Sequence, residues 1–128
     1  MKVLLDTHVF LWAATGDRRL SSRARGVLAD KQNTFVVSVA SVWEILVKAG
    51  SGKLDIPAPA GAYVQSLLGR APAAVLPILM SHVLRVESLP PHHRDPFDRI
   101  LAAQAVEEGI PIVTADQGLR AYPIEVVW

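Results

Sequence analysis

The chain has 128 residues, 51% hydrophobic and 20% charged, with no cysteine and a net charge of +1 from 13 Lys and Arg against 12 Asp and Glu. This composition supports a folded core and excludes the disordered and disulfide-rich classes, together with cysteine nucleophiles and thiolate metal sites. The near-neutral balance by itself points to no nucleic-acid partner, although gathering several acids at one site would leave the remaining surface basic.

The length fits one domain, 1–128, with its own core. The opening run Val3-Leu4-Leu5 is interrupted by Asp6 and His8, so it does not read as a secretory leader, and no apolar stretch has the length of a membrane span. A cytoplasmic protein without a membrane anchor is expected. Taken in order, Lys2–Leu5 reads as a buried strand, followed by a helix over His8–Ala14 that Gly16 stops. Ser21–Asp30 reads as a second helix with Ser21 or Ser22 as its cap. A strand at Phe35–Ser38 leads into a helix over Val39–Ala49, stopped by Gly50 and Gly52. Ala58–Leu68 is helical in pattern, then Val75–Ile78 is a third strand and Ser81–Leu89 a short helix ended by Pro90-Pro91. The helix Asp98–Glu108 ends at Gly109, and strands at Pro111–Thr114 and Ile124–Val127 complete the chain. Strands alternating with helices imply an α/β fold: a three-layer α/β/α sandwich around a mainly parallel five-stranded sheet.

Such sheets bind ligands at the carboxyl ends of their strands. Four acids are expected there. Asp6 directly follows the first strand, and Asp116 follows the fourth by two residues. Glu44 lies in the first two turns of the helix leaving the second strand. Asp98 starts the helix that feeds the fourth strand, and a crossover helix runs antiparallel to its strands.

Each acid also has an ordinary structural explanation. Asp6 could cap the next helix, with Thr7 capping or assisting a ligand. Glu44 could form an exposed i,i+4 pair with Lys48, worth about 0.2–0.5 kcal/mol. However, Val39, Val42, Trp43, Ile45, Leu46 and Val47 suggest a helix buried nearly all round, with Ser41, Glu44 and Lys48 on a narrow polar stripe. Asp95-Pro96-Phe97-Asp98 is a helix start in which the cap role accounts for Asp95 but only partly for Asp98. Asp116, after Thr114-Ala115, could be a turn residue. His92 and His93 sit in a Pro-rich loop and lack zinc-ligand spacing with further His or Cys, which favours a surface role. Trp12 and Trp43 read as core or interface residues.

Clustered carboxylates repel, and Mg²⁺ or Mn²⁺ relieves that penalty because hard cations prefer oxygen ligands. Such a cation serves phosphodiester chemistry by activating water and neutralising phosphate. Arg18, Arg19, Arg23, Arg25, Lys48, Lys53, Arg94 and Arg99 are available for a nucleic-acid backbone, although scattered basic residues usually only solvate a surface.

The stretches LLDTHVFLW (4–12), SVASVWEILVKAGSGKLDIP (38–57), LPPHHRDPFDRILAAQA (89–105) and IVTAD (112–116) resemble a PIN-domain ribonuclease, specifically a VapC-type toxin. The Trp43-Glu44 and Asp95–Arg99 segments are the specific ones. The resemblance implies a catalytic and metal-binding quartet of Asp6, Glu44, Asp98 and Asp116, supported by Thr7, Ser41, Asp95 and Thr114. It also implies Mg²⁺- or Mn²⁺-dependent endonucleolytic RNA cleavage, a homodimer, and inhibition by a VapB-type antitoxin seated in an apolar groove. Phe10, Leu11 and Trp12 are the expected groove residues. A phospho-accepting receiver domain fits poorly, because the third strand lacks a following Asp and no Lys occurs after Lys53. A PIN fold serving only as a binding module, or in RNA processing without an antitoxin, is the alternative reading.

Overall fold

The computed structural model describes residues 1–70 and 73–128. Its elements are β1 (Lys2–Leu5), α1 (Thr7–Thr15), α2 (Ser22–Ala29), β2 (Thr34–Ser38), α3 (Val39–Gly50), α4 (Ala60–Arg70), β3 (Ala73–Leu76), α5 (Met80–Ser88), α6 (Pro96–Glu108), β4 (Ile112–Val113), a 3-10 helix (Gln117–Ala121) and β5 (Val126–Val127). The five strands form one sheet in the order β3-β2-β1-β4-β5, and every pairing is parallel. The expected mainly parallel sheet is therefore wholly parallel.

Strand register divides the core in two. Leu4 pairs with Val36 and Ile112, while Leu5 pairs with Val37 and Val113. Successive strand residues point to opposite faces. Val3, Leu5, Val37 and Val113 accordingly pack with Val9 and Phe10 of α1, Ile45 of α3, and Val64 and Leu67 of α4. Leu4, Val36 and Ile112 pack on the other face with Leu101, Ala102 and Ala105 of α6 and with Leu119. The small residues of α6 let its axis lie close to the sheet. Leu101 is fully buried there, and Leu101→Ala would cost about 2–5 kcal/mol.

The helix ends follow from local chemistry. The Ser21 side chain accepts from Ala24 N–H at 3.1 Å, and the Ser38 side chain accepts from Ala40 N–H at 3.0 Å. Gly109 closes α6 in the left-handed region at φ 63°, where a residue with a Cβ would be strained. Several boundaries differ from the sequence reading. β3 lies two residues earlier than expected and stops before Pro77, which cannot donate to a ladder. α4 starts after Pro59, whose carbonyl accepts from Tyr63 N–H at 3.1 Å. β4 and β5 are each shortened to two residues, and the 3-10 helix between them was not anticipated.

The chain runs β1, β2, β3 toward one edge of the sheet, then returns to place β4 on the other side of β1. The strand order reverses between β1 and β4, which opens a crevice above their carboxyl ends. Asp6 and Asp116 follow these two strands.

Candidate metal centre

Asp6 occupies the N-cap position of α1, but its side chain makes no capping hydrogen bond. Its Oδ2 instead accepts from Thr114 Oγ1 at 2.5 Å, joining the ends of β1 and β4. Burial raises the Asp6 carboxyl above its ordinary value, against the lowering effect of the Thr114 hydrogen bond and of nearby His8. The capping explanation for Asp6 thus fails.

Glu44 is only 3% exposed. Its Oε1 accepts from Thr7 Oγ1 at 2.6 Å, and Thr7 Oγ1 lies 2.8 Å from Ser41 Oγ. One hydroxyl has one proton, so Thr7 donates to the carboxylate and receives from Ser41. Oε2 pairs with Lys48, whose ammonium is held above its ordinary value chiefly by that hydrogen bond. The expectation that α3 is buried nearly all round is corrected. Val39, Trp43, Leu46 and Val47 are exposed, while the polar Ser41 and Glu44 point inward. The salt bridge with Lys48 exists, but around a buried carboxylate rather than an exposed one.

Asp98 stands in the first turn of α6. Its carboxyl is raised to about 7, first by burial and then by the neighbouring charges of Asp95 and Asp6, with Glu44 adding and His93 opposing. Asp95 caps the helix through Oδ1, which accepts from Phe97 N–H at 2.9 Å. Asp116 divides its two oxygens. Oδ1 accepts from Gly118 N–H at 2.9 Å, a turn role, and Oδ2 lies 2.6 Å from His93 Nε2.

Asp6, Glu44, Asp95, Asp98 and Asp116 all line one cavity of about 330 Å³, with His8, Trp12 and Lys48 in its wall. Beside this cavity, a close set of candidate ligands differs from the expected quartet by drawing in His93. One ligand atom each from His93, Asp98 and Asp116 lie within 4.8 Å of one another. His93 was read as a surface residue, and the structure corrects this. The only sequence signal for it was position: it lies in the loop leading into the helix that begins at the carboxyl edge.

Phe10 and Leu11 were expected to line a partner groove, and this too is corrected. They are 1% and 9% exposed and belong to the core under the sheet, because the helix that carries them packs directly on β1. Trp12 alone of the three reaches the surface, between His8 and Trp128 and beneath the Arg19 guanidinium. Several basic residues are also committed internally. Arg99 donates to the Val86 and Leu89 carbonyls, Arg25 to the Leu20 carbonyl, and Arg19 to Asp17.

The donor set fits a divalent cation. It offers carboxylate oxygens and one imidazole, and burial first, then the charges of Asp95 and Asp6, raise the Asp98 carboxyl to about 7.

The fold and the site together define a wholly parallel α/β/α domain whose carboxylates converge at the reversal point of its sheet. The PIN domain model matches residues 3–125, and the chain belongs to the PIN-domain family. It is 28% identical over 121 residues to "Ribonuclease VapC22" of Mycobacterium tuberculosis, covering 94% of this chain and 91% of that protein. Among solved structures it is similar to VapBC2 from Rickettsia felis bound to a DNA fragment from their promoter, at a TM-score of 0.72 and 16% identity over 98% of this chain and 97% of that one. It is also similar to DNA-bound VapBC from Salmonella typhimurium, at a TM-score of 0.69 and 17% identity over 98% and 96% of the two chains. At such identities these structures establish the shared fold.

Proposed function

We propose that this protein is a metal-dependent endoribonuclease acting as the toxin of a toxin–antitoxin pair. The observation that carries the reading is the convergence of Asp6, Glu44, Asp98 and Asp116 on one cavity, in a PIN-domain chain related over most of its length to a named ribonuclease.

Asp6, Glu44, Asp98 and Asp116 would hold Mg²⁺ or Mn²⁺. When bound, the cation supplies a nucleophilic water at neutral pH and neutralises charge on the phosphate. The chain's own groups prepare that chemistry. Thr114 and Thr7 fix the Asp6 and Glu44 carboxylates by short hydrogen bonds from across the sheet edge. Lys48 stands at the cavity wall as a cation able to meet a phosphate oxygen. Trp12 and His8 present aromatic surface at the same cavity, suited to an unstacked base of single-stranded RNA.

A protein partner is supported by an apolar face far larger than a solvated helix pair needs. Trp43 is 60% exposed and Met80 72%, and Val39, Leu46, Val83 and Leu84 are exposed with them on α3 and α5. Trp43 and Val83 line one apolar cavity with Phe97 and Ile100, and apolar exposure of this kind marks an interaction surface. Self-association and an antitoxin segment would each cover part of it. No helix among the described residues is long and apolar enough to cross a membrane, and a cytoplasmic site of action is part of the proposal.

The test is cleavage of end-labelled single-stranded RNA by the purified, metal-stripped chain with and without added Mg²⁺ or Mn²⁺. Internal cuts that depend on the cation are expected. Cation-independent cutting, or none under any cation, would contradict the reading.

A further inference from the structure

His93 is left unused by the acidic quartet, yet it is closer to two of its members than any other basic group. Its Nε2 lies 2.6 Å from Asp116 Oδ2 and 3.5 Å from Asp98 Oδ2. Two ligands at right angles on an octahedral ion, each at about 2.1 Å, stand about 3.0 Å apart. The two separations from His93 bracket that spacing, and one ligand atom of each of the three lies within 4.8 Å of the others, so side-chain shifts would bring all three groups onto one ion.

The arrangement is built into the fold. His93 N–H donates to the buried Tyr122 hydroxyl at 3.0 Å, which anchors the loop before α6 to the segment after the 3-10 helix. Asp116 is fixed from the other side through the Gly118 N–H. Gly118 also leaves the necessary space, since a Cβ there would stand 3.0 Å from Asp116 Oδ1 and 3.5 Å from His93 Cδ2.

We propose that His93 is a metal ligand, completing with Asp98 and Asp116 a cation subsite distinct from the Asp6–Glu44 side of the cavity. This rests on the metal-dependent reading above and adds a chemical preference to it. An imidazole nitrogen favours Mn²⁺, Co²⁺ or Zn²⁺, whereas Mg²⁺ prefers an all-oxygen shell. The subsite therefore selects a nitrogen-accepting transition metal over Mg²⁺.

The experiment uses the full chain loaded with Mn²⁺ and reads nitrogen-14 coupling to the metal by pulsed electron paramagnetic resonance, beside calorimetric titration of Mn²⁺ and Mg²⁺. Wild-type protein should show imidazole coupling. His93→Gln should lose it, retain its circular dichroism, and lose about tenfold or more of its preference for Mn²⁺ over Mg²⁺. His8→Gln, a control in the wall of the cavity that Asp98 and Asp116 also line, should keep the coupling. Bound Mn²⁺ without nitrogen coupling, or coupling that survives in His93→Gln, would overturn the proposal while leaving the metal-dependent reading intact. Failure of the wild-type chain to bind Mn²⁺ at all would overturn both.

Discussion

Thr114 donates its hydroxyl to Asp6 across 108 residues of sequence at 2.5 Å, and this one bond ties the ends of two neighbouring strands to the carboxylate between them. The same Oγ1 accepts from Asp116 N–H at 3.0 Å. Thr114→Val preserves shape but strands both partners. Loss of a hydrogen bond to a buried charged group costs about 1.5–3 kcal/mol. Chemical denaturation should show a loss of that order above the ionisation range of Asp6. Burial would then push the Asp6 carboxyl higher still, and cation affinity at neutral pH should fall.

Lys48 and Glu44 predict a compensation between charge and metal. Removing one partner of a buried ion pair leaves the other uncompensated. Lys48 itself is 31% exposed, so solvent screening reduces the cost of Lys48→Met to about 1–3 kcal/mol in the metal-free protein. Mg²⁺ should restore more stability to this variant than to the wild type, measured by thermal unfolding with and without the cation. Equal restoration in both would show that Glu44 does not face the metal.

Asp98 fixes the direction of two pH effects. Its folded-state value is raised from 3.8 to about 7, mainly by burial. Between those values the folded, metal-free protein holds a proton that the unfolded chain has released. Stability from this group is therefore lost as pH rises through that window. Asp6 is raised as well and acts in the same sense. Cation affinity runs the opposite way, since protons compete for the ligands: it should rise with pH, by up to about tenfold per pH unit for each proton displaced. Calorimetric titrations from about pH 4 to about pH 8, which span 3.8 to about 7, would record the rise or its absence.

Asp95 can be separated from Asp98 by its two roles. Its oxygen caps α6, and its charge is the second cause raising Asp98. Asp95→Asn keeps an equivalent cap and removes the charge, so the part of the affinity rise due to Asp98 should move to lower pH with little change in stability. Asp95→Ala should cost about 1 kcal/mol by loss of the cap.

The apolar face of α3 and α5 predicts a change in assembly. Trp43→Glu or Val83→Asp places charge on surface that a partner must cover, and sedimentation should report a smaller species than the wild type. An unchanged species in both variants would move the interface elsewhere.

Much of the site was legible because topology converts sequence position into spatial position. Asp6 and Asp116 follow adjacent parallel strands, and Asp98 begins a crossover helix, so their shared edge needed no side-chain detail. Glu44 does line the shared cavity, but it was placed there for a partly mistaken reason: its helix leaves Val39, Trp43, Leu46 and Val47 exposed and is not buried all round. Periodicity cannot distinguish apolar residues of a core from apolar residues left exposed. Phe10 and Leu11 were misjudged in the reverse sense. Their apolarity looked excessive for a short helix, but that helix lies on the central strand and buries them. His93 was illegible because its partners lie 5 and 23 residues away in chain, with only loop chemistry to mark it. The shortened β4 and β5 and the 3-10 helix between them reflect local turn geometry that an apolar run does not encode.

The most direct measurement is RNA cleavage by Asp6→Asn and Asp98→Asn beside the wild type, each with Mn²⁺ and each checked by circular dichroism. Neutral amides keep the volume and remove the charge that the cation requires. The account predicts cation-dependent internal cuts by the wild type and a loss of at least about a hundredfold in both folded variants. Cleavage retained by both folded variants would contradict it.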